Sequence, residues 1–339
     1  MNHQSTGKSR KVLIITIATA TLLLAGAGTA NYLQYQHGQK QKRHFTYQIS
    51  SLQTELKRVN NEIERRHPLA EFGKEVQDER RRQAQREEEE EYRLKSAKAK
   101  AQQELSARGF PPSAYERELG YAIKNNNTEL LGLLLTAGTD PNTDNVLSEA
   151  ALYSHTECVK LLLAAPGIDV NRADDDGKTP LYRAADKGHT ECVKLLLAAP
   201  GIDVNRADNF GETPLYPAAD KGHTECVKLL LAVPGIDVNK TNSDGHTPLY
   251  HAASQGHTEC VKLLLAALGI DVNRADDYGR PPLSGAAEYG HTECVKLLLA
   301  APGIDVNKAN KDGTTPLSRA TRNGHTEIVK LLEAAGARR

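Results

Sequence analysis

HTECVKLLLAAPGIDVN begins at His155 and starts again, unchanged, at His189 and at His291. Copies with one change begin at His223, where Val233 replaces the last Ala of the string, and at His257, where Leu268 replaces Pro. A shorter version, HTEIVKLLEAAGA, opens at His325. The spacing is 34 residues throughout. A fixed period of this size is the mark of an array, in which each unit buries its apolar face against the next. An active site brings different residues together once, so a repeated string reads as architecture and function is expected where the copies disagree.

The composition agrees with many small cores. The chain has no Trp and only 4 Phe, too few aromatics for one large core. Lys and Arg total 43 and Asp and Glu total 43, yet residues 112–339 hold 23 of the former against 30 of the latter. That mildly acidic array argues against nucleic acid, whose phosphates require clustered cations. The five cysteines (Cys158, Cys192, Cys226, Cys260, Cys294) share one repeat position, which Ile328 fills in the last copy. A small apolar core role follows, with reduced thiols.

Residues 1–11 form a basic segment with Lys8, Arg10 and Lys11, and an apolar segment at 12–33 follows. Two readings fit it: a transmembrane anchor of spanning length, or a signal sequence cleaved after Ala30. The first puts the repeats on the non-cytoplasmic side of a membrane, and the second makes the protein secreted or periplasmic. Residues 40–107 read as a helical, coiled-coil stem. Phe45, Ile49, Leu52, Leu56, Val59 and Ile63 alternate four and three apart, an a/d seam that makes 45–63 a candidate for homodimerisation. Beyond Pro68 the stem is a solvated helix through EEEEE (87–91), with Glu89–Arg93 and Glu91–Lys95 as i,i+4 pairs. GFPPS (109–113) ends it.

The copy at 172–205 shows the logic of one repeat. Asp176-Gly177 is a tight turn. Thr179 before Pro180 is an N-cap followed by a first-turn Pro, and Gly188 stops the short helix. Thr190 starts a second helix in which Cys192, Val193, Leu195, Leu196 and Leu197 are apolar on nearly every side, so neighbours must cover both flanks.

The pattern DxxGxTPLxxAAxxGHxExVKLLLxxxxxDVN, in register at 172–205, 206–239 and 240–273, resembles the ankyrin repeat. The resemblance implies an all-α solenoid of about seven helix-turn-helix repeats with β-turn fingers over residues 111–339. Departures are visible. The period exceeds the usual one of about 33 residues, the extra residue falling in AAPGID. Tyr182, Tyr216, Tyr250, Ser284 and Ser318 stand where the family has His, and Pro281 replaces the capping Thr. The segments 115–142 and 143–171 read as two divergent repeats, the first a polar cap, with Ser154 in place of the helix-stop Gly. Glu333 makes the last copy polar at its end.

Enzymatic and metal chemistry find no support in these motifs. HTEC has the His-x-Glu of a zinc deaminase without its P-C-x-x-C, and each repeat offers two ligands where closed zinc sites need about four. The His is read instead as satisfying backbone groups near the helix start. GKT at 177–179 lacks the first Gly of a phosphate loop, and ADDDG at 173–177 lacks calcium-ligand positions. No cofactor and no catalytic set is expected.

The resemblance implies a non-catalytic scaffold that grips a protein partner with its finger tips and first helices. Mapped onto those positions, the binding residues are Lys178, Tyr182, Arg183, Phe210, Glu212, Tyr216, His246, Tyr250, His251, Tyr278, Arg280, Tyr289 and Arg319. Within this set Phe210, Tyr216, Tyr250, His251, Tyr278 and Tyr289 are the expected anchor patch. Two alternatives stand beside this reading: a structural coiled-coil spacer of the cell envelope, with the repeats as bulk, and a secreted effector released by cleavage after Ala30.

Overall fold

The structure, a computed structural model, describes residues 50–59, 61 and 70–338. Residues 1–11, the apolar segment 12–33, and Phe45, Ile49 and Ile63 of the seam lie outside the described residues. The chain divides into two units, Met1–Gln103 and Glu104–Arg339.

In the first unit residues 50–59 are helical, with Leu52 and Val59 exposed. Helix α1 runs Ala70–Ala107. Its mean hydropathy is low and its middle is solvated on all sides, as a Glu- and Arg-rich sequence requires. The Glu91–Lys95 pair forms at 2.6 Å, whereas Glu89 and Arg93 make no ion pair among the described residues. No helix of the described residues is long and apolar enough to cross a membrane.

The second unit begins with the last turn of α1. Leu105 is fully buried there, Phe110 N–H closes the helix end on the Leu105 carbonyl at 2.9 Å, and Arg108 bridges Glu104 and Glu129, each at 2.6 Å. Seven helix pairs follow. They are α2 Tyr115–Lys124 with α3 Thr128–Ala137, α4 Val146–Leu152 with α5 Thr156–Ala164, and α6 Pro180–Lys187 with α7 Thr190–Leu197. Next come α8 Leu215–Asp220 with α9 Thr224–Leu231 and α10 Pro248–Ser254 with α11 Thr258–Leu265. The last are α12 Pro282–Tyr289 with α13 Thr292–Leu299 and α14 Pro316–Arg322 with α15 Thr326–Ala334. No strand occurs among the described residues.

Local chemistry places these helices. Thr179, Thr247 and Thr315 each accept the N–H three residues on, and a Pro occupies the next position. Pro281 makes no such bond, as the missing hydroxyl predicts. Each first helix packs on the first helices before and after it, and each second helix on its own neighbours, giving two layers. Between them Leu181, Ala184, Ala185, Cys192, Val193 and Leu196 are completely buried, and the same positions recur along the array. All five cysteines are free and buried. Burial pushes the thiols of Cys192, Cys226, Cys260 and Cys294 up, although a Thr hydroxyl of the preceding repeat lies 3.8–4.0 Å from each sulfur.

Two polar ladders fix one repeat to the next. In the first, the histidine before each second helix does not cap its own helix. Its Nε2 instead reaches the carbonyl near the end of the preceding first helix: His189 to Leu152, His223 to Asp186, His257 to Asp220, His291 to Ser254 and His325 to Glu288, at 2.8–3.1 Å. The backbone group is thus in the neighbouring repeat, not at the helix start. The ring lies on the glycine that ends the preceding first helix. At Gly222, whose φ is +72°, a Cβ would come within 2.5 Å of His257 Nδ1.

The second ladder runs through the Asn of each DVN. Asn171 Nδ2 donates to the Gly201 carbonyl at 2.7 Å, and its Oδ1 accepts from Asp203 N–H at 2.8 Å. Asn142, Asn205, Asn239, Asn273 and Asn307 do the same to their successors. The partner is the Pro-Gly-Ile-Asp loop, Leu-Gly-Ile-Asp at 268–271, where the extra residue of the period sits; for Asn307 it is Ala-Gly-Ala-Arg at 335–338. The longer loop therefore has a structural use: it is read by the Asn of the repeat before.

The ends depart from this scheme. Left-handed non-glycine residues (Asn126, Asp144, Asn145, Ser154) fall only in the first two repeats among the described residues. At the other end Thr321, in place of an Ala, donates to the Leu317 carbonyl, and Glu333 is exposed. Gly222→Ala is expected to lower the urea midpoint, since left-handed backbone costs about 1–2 kcal/mol and the His257 ring must also move. Ser154→Gly, at φ +61°, is expected to raise the midpoint. Equal midpoints for all three proteins would contradict this reading of the helix stop.

Candidate functional site

Each finger is built by one side chain at its base. Asp174, Asp208, Asn242, Asp276 and Asn310 accept through Oδ1 from the N–H groups two and four residues on, the Asx-turn chemistry of short acids and amides. The tips are then joined in a row. Asn209 N–H donates to the Asp176 carbonyl, Ser243 to Phe210, Asp277 to Asp244 and Lys311 to Tyr278, at 2.7–3.1 Å.

Behind the tips lie Tyr216 and Tyr250, expected in the anchor patch, and Tyr182 of the wider binding set, and here burial corrects the sequence reading. Tyr182, Tyr216 and Tyr250 are only 4–5% exposed. They pack between the fingers and the first helices, so they support the face and do not present it. Tyr182 Oη donates to Glu212 at 2.7 Å, and Asn242 Nδ2 donates to Tyr216 Oη at 3.0 Å. The Tyr250 ring stacks on His246, centroids 4.5 Å apart, with the Arg280 guanidinium 5.6 Å from its centre. Burial pushes all three phenols up, Tyr250 to about 12.

The charged members of the predicted set are engaged as well, mostly with the adjoining repeat. Lys178 lies 5.5 Å from the Tyr182 ring centre and 3.7 Å from Asp176. Arg183 Nε donates to Asp174 at 2.9 Å. His251 Nδ1 meets Asp220 at 2.7 Å, Arg319 meets Glu288 at 2.6 Å, and Lys221 meets Asp186. Asp186 sits below the usual carboxylate range: burial opposes its ionisation, but Lys221 and Lys187 outweigh that. His246 Nε2 lies 3.1 Å from Asp276, which also takes Arg280.

These pairs give the variation among copies a reading that sequence comparison did not weigh. At the position of His251 and Arg319 three copies match the residue one repeat earlier: His251 with Asp220, Gly285 with Ser254 and Arg319 with Glu288. Arg183 instead turns to Asp174 of its own finger, and Asp186, one repeat before Pro217, takes Lys221. Even the steric pair fits, since a Cβ at Gly285 would lie 3.1 Å from that of Ser254. Much of the variability is complementarity between neighbours. Asp186, Asp220, Asp276 and Glu288, absent from the predicted set, carry half of it.

Three predicted residues remain presented to solvent: Phe210, Tyr278 and Tyr289, at 58%, 62% and 60% exposure. The first two crown fingers two repeats apart, and the third ends a first helix. Tyr153, 54% exposed, occupies in the second repeat the position of Tyr289. The sequence held that signal, since Tyr153-Ser154-His155 lines up with Tyr289-Gly290-His291.

One repeat is internally incomplete. Pro217 stands where Arg183 stands a repeat earlier, so its finger acid loses a cation and its helix loses the N–H that would bond the Thr213 carbonyl. That carbonyl takes the Tyr216 N–H at 2.9 Å in place of the Thr213 hydroxyl. Asp208 Oδ2 and Thr213 Oγ1 are both buried without a partner, and α8 starts late, without a side-chain cap. Among the described residues no group of His, Cys, Asp and Glu has metal-site geometry.

Pro217→Arg is expected to raise stability by about 1–3 kcal/mol through a charge-assisted bond, with Pro217→Ala recovering only the backbone part; denaturant midpoints rank the three. Burial first, then the neighbouring His251, hold His246 below its ordinary value of 6.5, against the pull of Asp276. A lowered histidine pKa means that the unfolded chain binds the proton more readily, so stability falls as pH drops from 6.5 towards the folded value. The slope in that window should shrink in His246→Asn, read from midpoints at a series of pH values.

A family profile described as "Ankyrin repeats" matches three times, over residues 119–208, 203–276 and 269–338. The crystal structure of an ankyrin repeat domain from Acinetobacter baumannii AYE superposes with a TM-score of 0.52 at 35% identity, covering 57% of this chain and 98% of that one. Interferon antagonist OPG039 of Monkeypox virus and interferon antagonist OPG040 of Vaccinia virus (strain Western Reserve) are 45% and 42% identical over 71 residues. The match spans 20% of this chain and 25% of each viral protein.

Proposed function

The chain belongs to the ankyrin-repeat family, and from that premise we propose that its tips and first helices recognise a protein partner without catalysis. Ankyrin repeats are protein-interaction scaffolds; the choice of face is the proposal. The observation that carries it is the exposure of Phe210, Tyr278 and Tyr289 on an array that buries Tyr182, Tyr216 and Tyr250 just behind the finger tips. Aromatic rings at more than half exposure are poorly solvated on their apolar faces, and aromatic side chains are enriched at binding hot spots. Affinity capture with the full chain and with Phe210→Ala/Tyr278→Ala/Tyr289→Ala should differ in the proteins recovered. Equal recovery from both baits would remove this face from consideration.

The reading extends to the N-terminal third. Residues 12–33 tether the protein to a membrane with the repeats on the non-cytoplasmic side, or direct its export, and residues 40–107 act as the spacer. Support comes from the basic flank and apolar run in the sequence. Self-association through 45–63 is favoured by Leu52 and Val59, which are 57% and 40% exposed on the helical segment 50–59; apolar residues at a/d spacing gain by mutual burial. Membrane fractionation with N-terminal sequencing separates the tether, which keeps Met1, from the cleaved form, which starts after Ala30. In sedimentation, Leu52→Asn/Val59→Asn should shift a dimer to monomer, and an unchanged mass would dismiss the seam.

A further inference from the structure

We infer that the partner presented to the finger tips is a cationic extended segment, whose guanidinium or ammonium groups stack on Phe210 and Tyr278. The inference rests on the proposed tip-facing mode of recognition and deepens it by naming the chemistry.

Three observations on different residues converge. First, the tips are acidic. Asp175, Asp176, Asp244 and Asp277 lie exposed on fingers that the backbone joins in one row, and those tip positions hold no Lys or Arg until Lys311. Asp176 has Lys178 and Arg183 nearby, but Asp175, Asp244 and Asp277 form no ion pair among the described residues. Second, an aromatic ring sits among these acids, an arrangement that favours a cation over its face. The chain already shows the contact: Arg280 lies 5.0 Å from the Tyr278 ring centre. Phe210 has no such cation of its own. Third, the finger of Phe210 is the one whose base acid is left uncompensated. Asp174 takes Arg183 and Asp276 takes Arg280, whereas Asp208, only 7% exposed, keeps an unpartnered oxygen. Negative charge with no internal counter-ion therefore lies beneath the vacant ring.

Geometry sets the spacing. Stacked layers repeat at about 8–10 Å, so rings two fingers apart lie about 20 Å from each other. An extended chain advances about 3.3 Å per residue, which puts the two cations about six residues apart in the partner. An anionic segment would meet the same aspartates as repulsion.

Fluorescence anisotropy with the full chain tests this, using a labelled Gly/Ser peptide carrying two Arg six residues apart and a second peptide with Glu in their place. The Arg peptide should bind, weaken about tenfold in Phe210→Ala/Tyr278→Ala, and weaken as NaCl rises. Pro217→Arg, which supplies the missing internal cation while keeping the fold, should lower its affinity as well. Circular dichroism confirms that the variants fold. Failure of the Arg peptide to bind, or equal binding of the Glu peptide, overturns the inference. Should the Glu peptide alone bind and be lost in the tip variant, tip recognition stands and the cationic assignment falls. Arg-peptide binding that survives the tip substitutions overturns the inference together with the tip-facing mode on which it rests.

Discussion

A pair of eight-residue helices cannot persist alone in water, because the first turn costs more order than so short a helix returns. Every repeat here borrows its stability from the next, and the borrowing is geometric as well as apolar. Leucines and alanines supply the driving force, yet they would tolerate sliding. The imidazole that reaches back to a carbonyl, and the Asn amide that grips the following loop, do not. Each has one acceptor at one distance, so together they define the step between layers on both sides of the second helix. The ring sits close on the helix-stop glycines of the third to sixth repeats, Gly188, Gly222, Gly256 and Gly290, which leaves little room there for a Cβ.

That division of labour shows which parts were readable in advance. The Thr-Pro starts at Thr179, Thr247 and Thr315, the Gly stops and the polar last copy followed from local rules, and the structure places them as expected, whereas Thr213 does not cap its helix. The role of the histidine was misplaced because its acceptor is 37 residues away in sequence, beyond any local pattern. The loop insertion was visible but its use was not, since Asn171 and Gly201 meet only after stacking. The three buried tyrosines were misjudged for a related reason. A side chain one position from the finger can point along the groove or into it, and only the neighbouring finger decides.

The candidate surface is accordingly smaller and more specific than variability alone suggests. His251, Arg319 and Glu212 each contact the neighbouring repeat. What is left over, Phe210, Tyr278 and Tyr289, is the exposed aromatic portion of the variation, and Tyr278 alone of the three has a cation of the chain over its ring. Internal bookkeeping thus serves as a filter for external function: positions explained by a fold contact are subtracted, and the remainder points outward.

The duplicated second helices have a kinetic side. Six nearly interchangeable docking surfaces present a folding chain with many wrong neighbours of almost equal apolar merit, a degeneracy that heterogeneous proteins avoid. Asp220 beside His251, Ser254 beside Gly285 and Glu288 beside Arg319 break it. A misdocked layer that set a carboxylate against Gly285 or Arg319 against Ser254 would forfeit a matched contact at those junctions. The small differences among the copies thereby mark neighbours in the later part of the array, where the second helices alone do not.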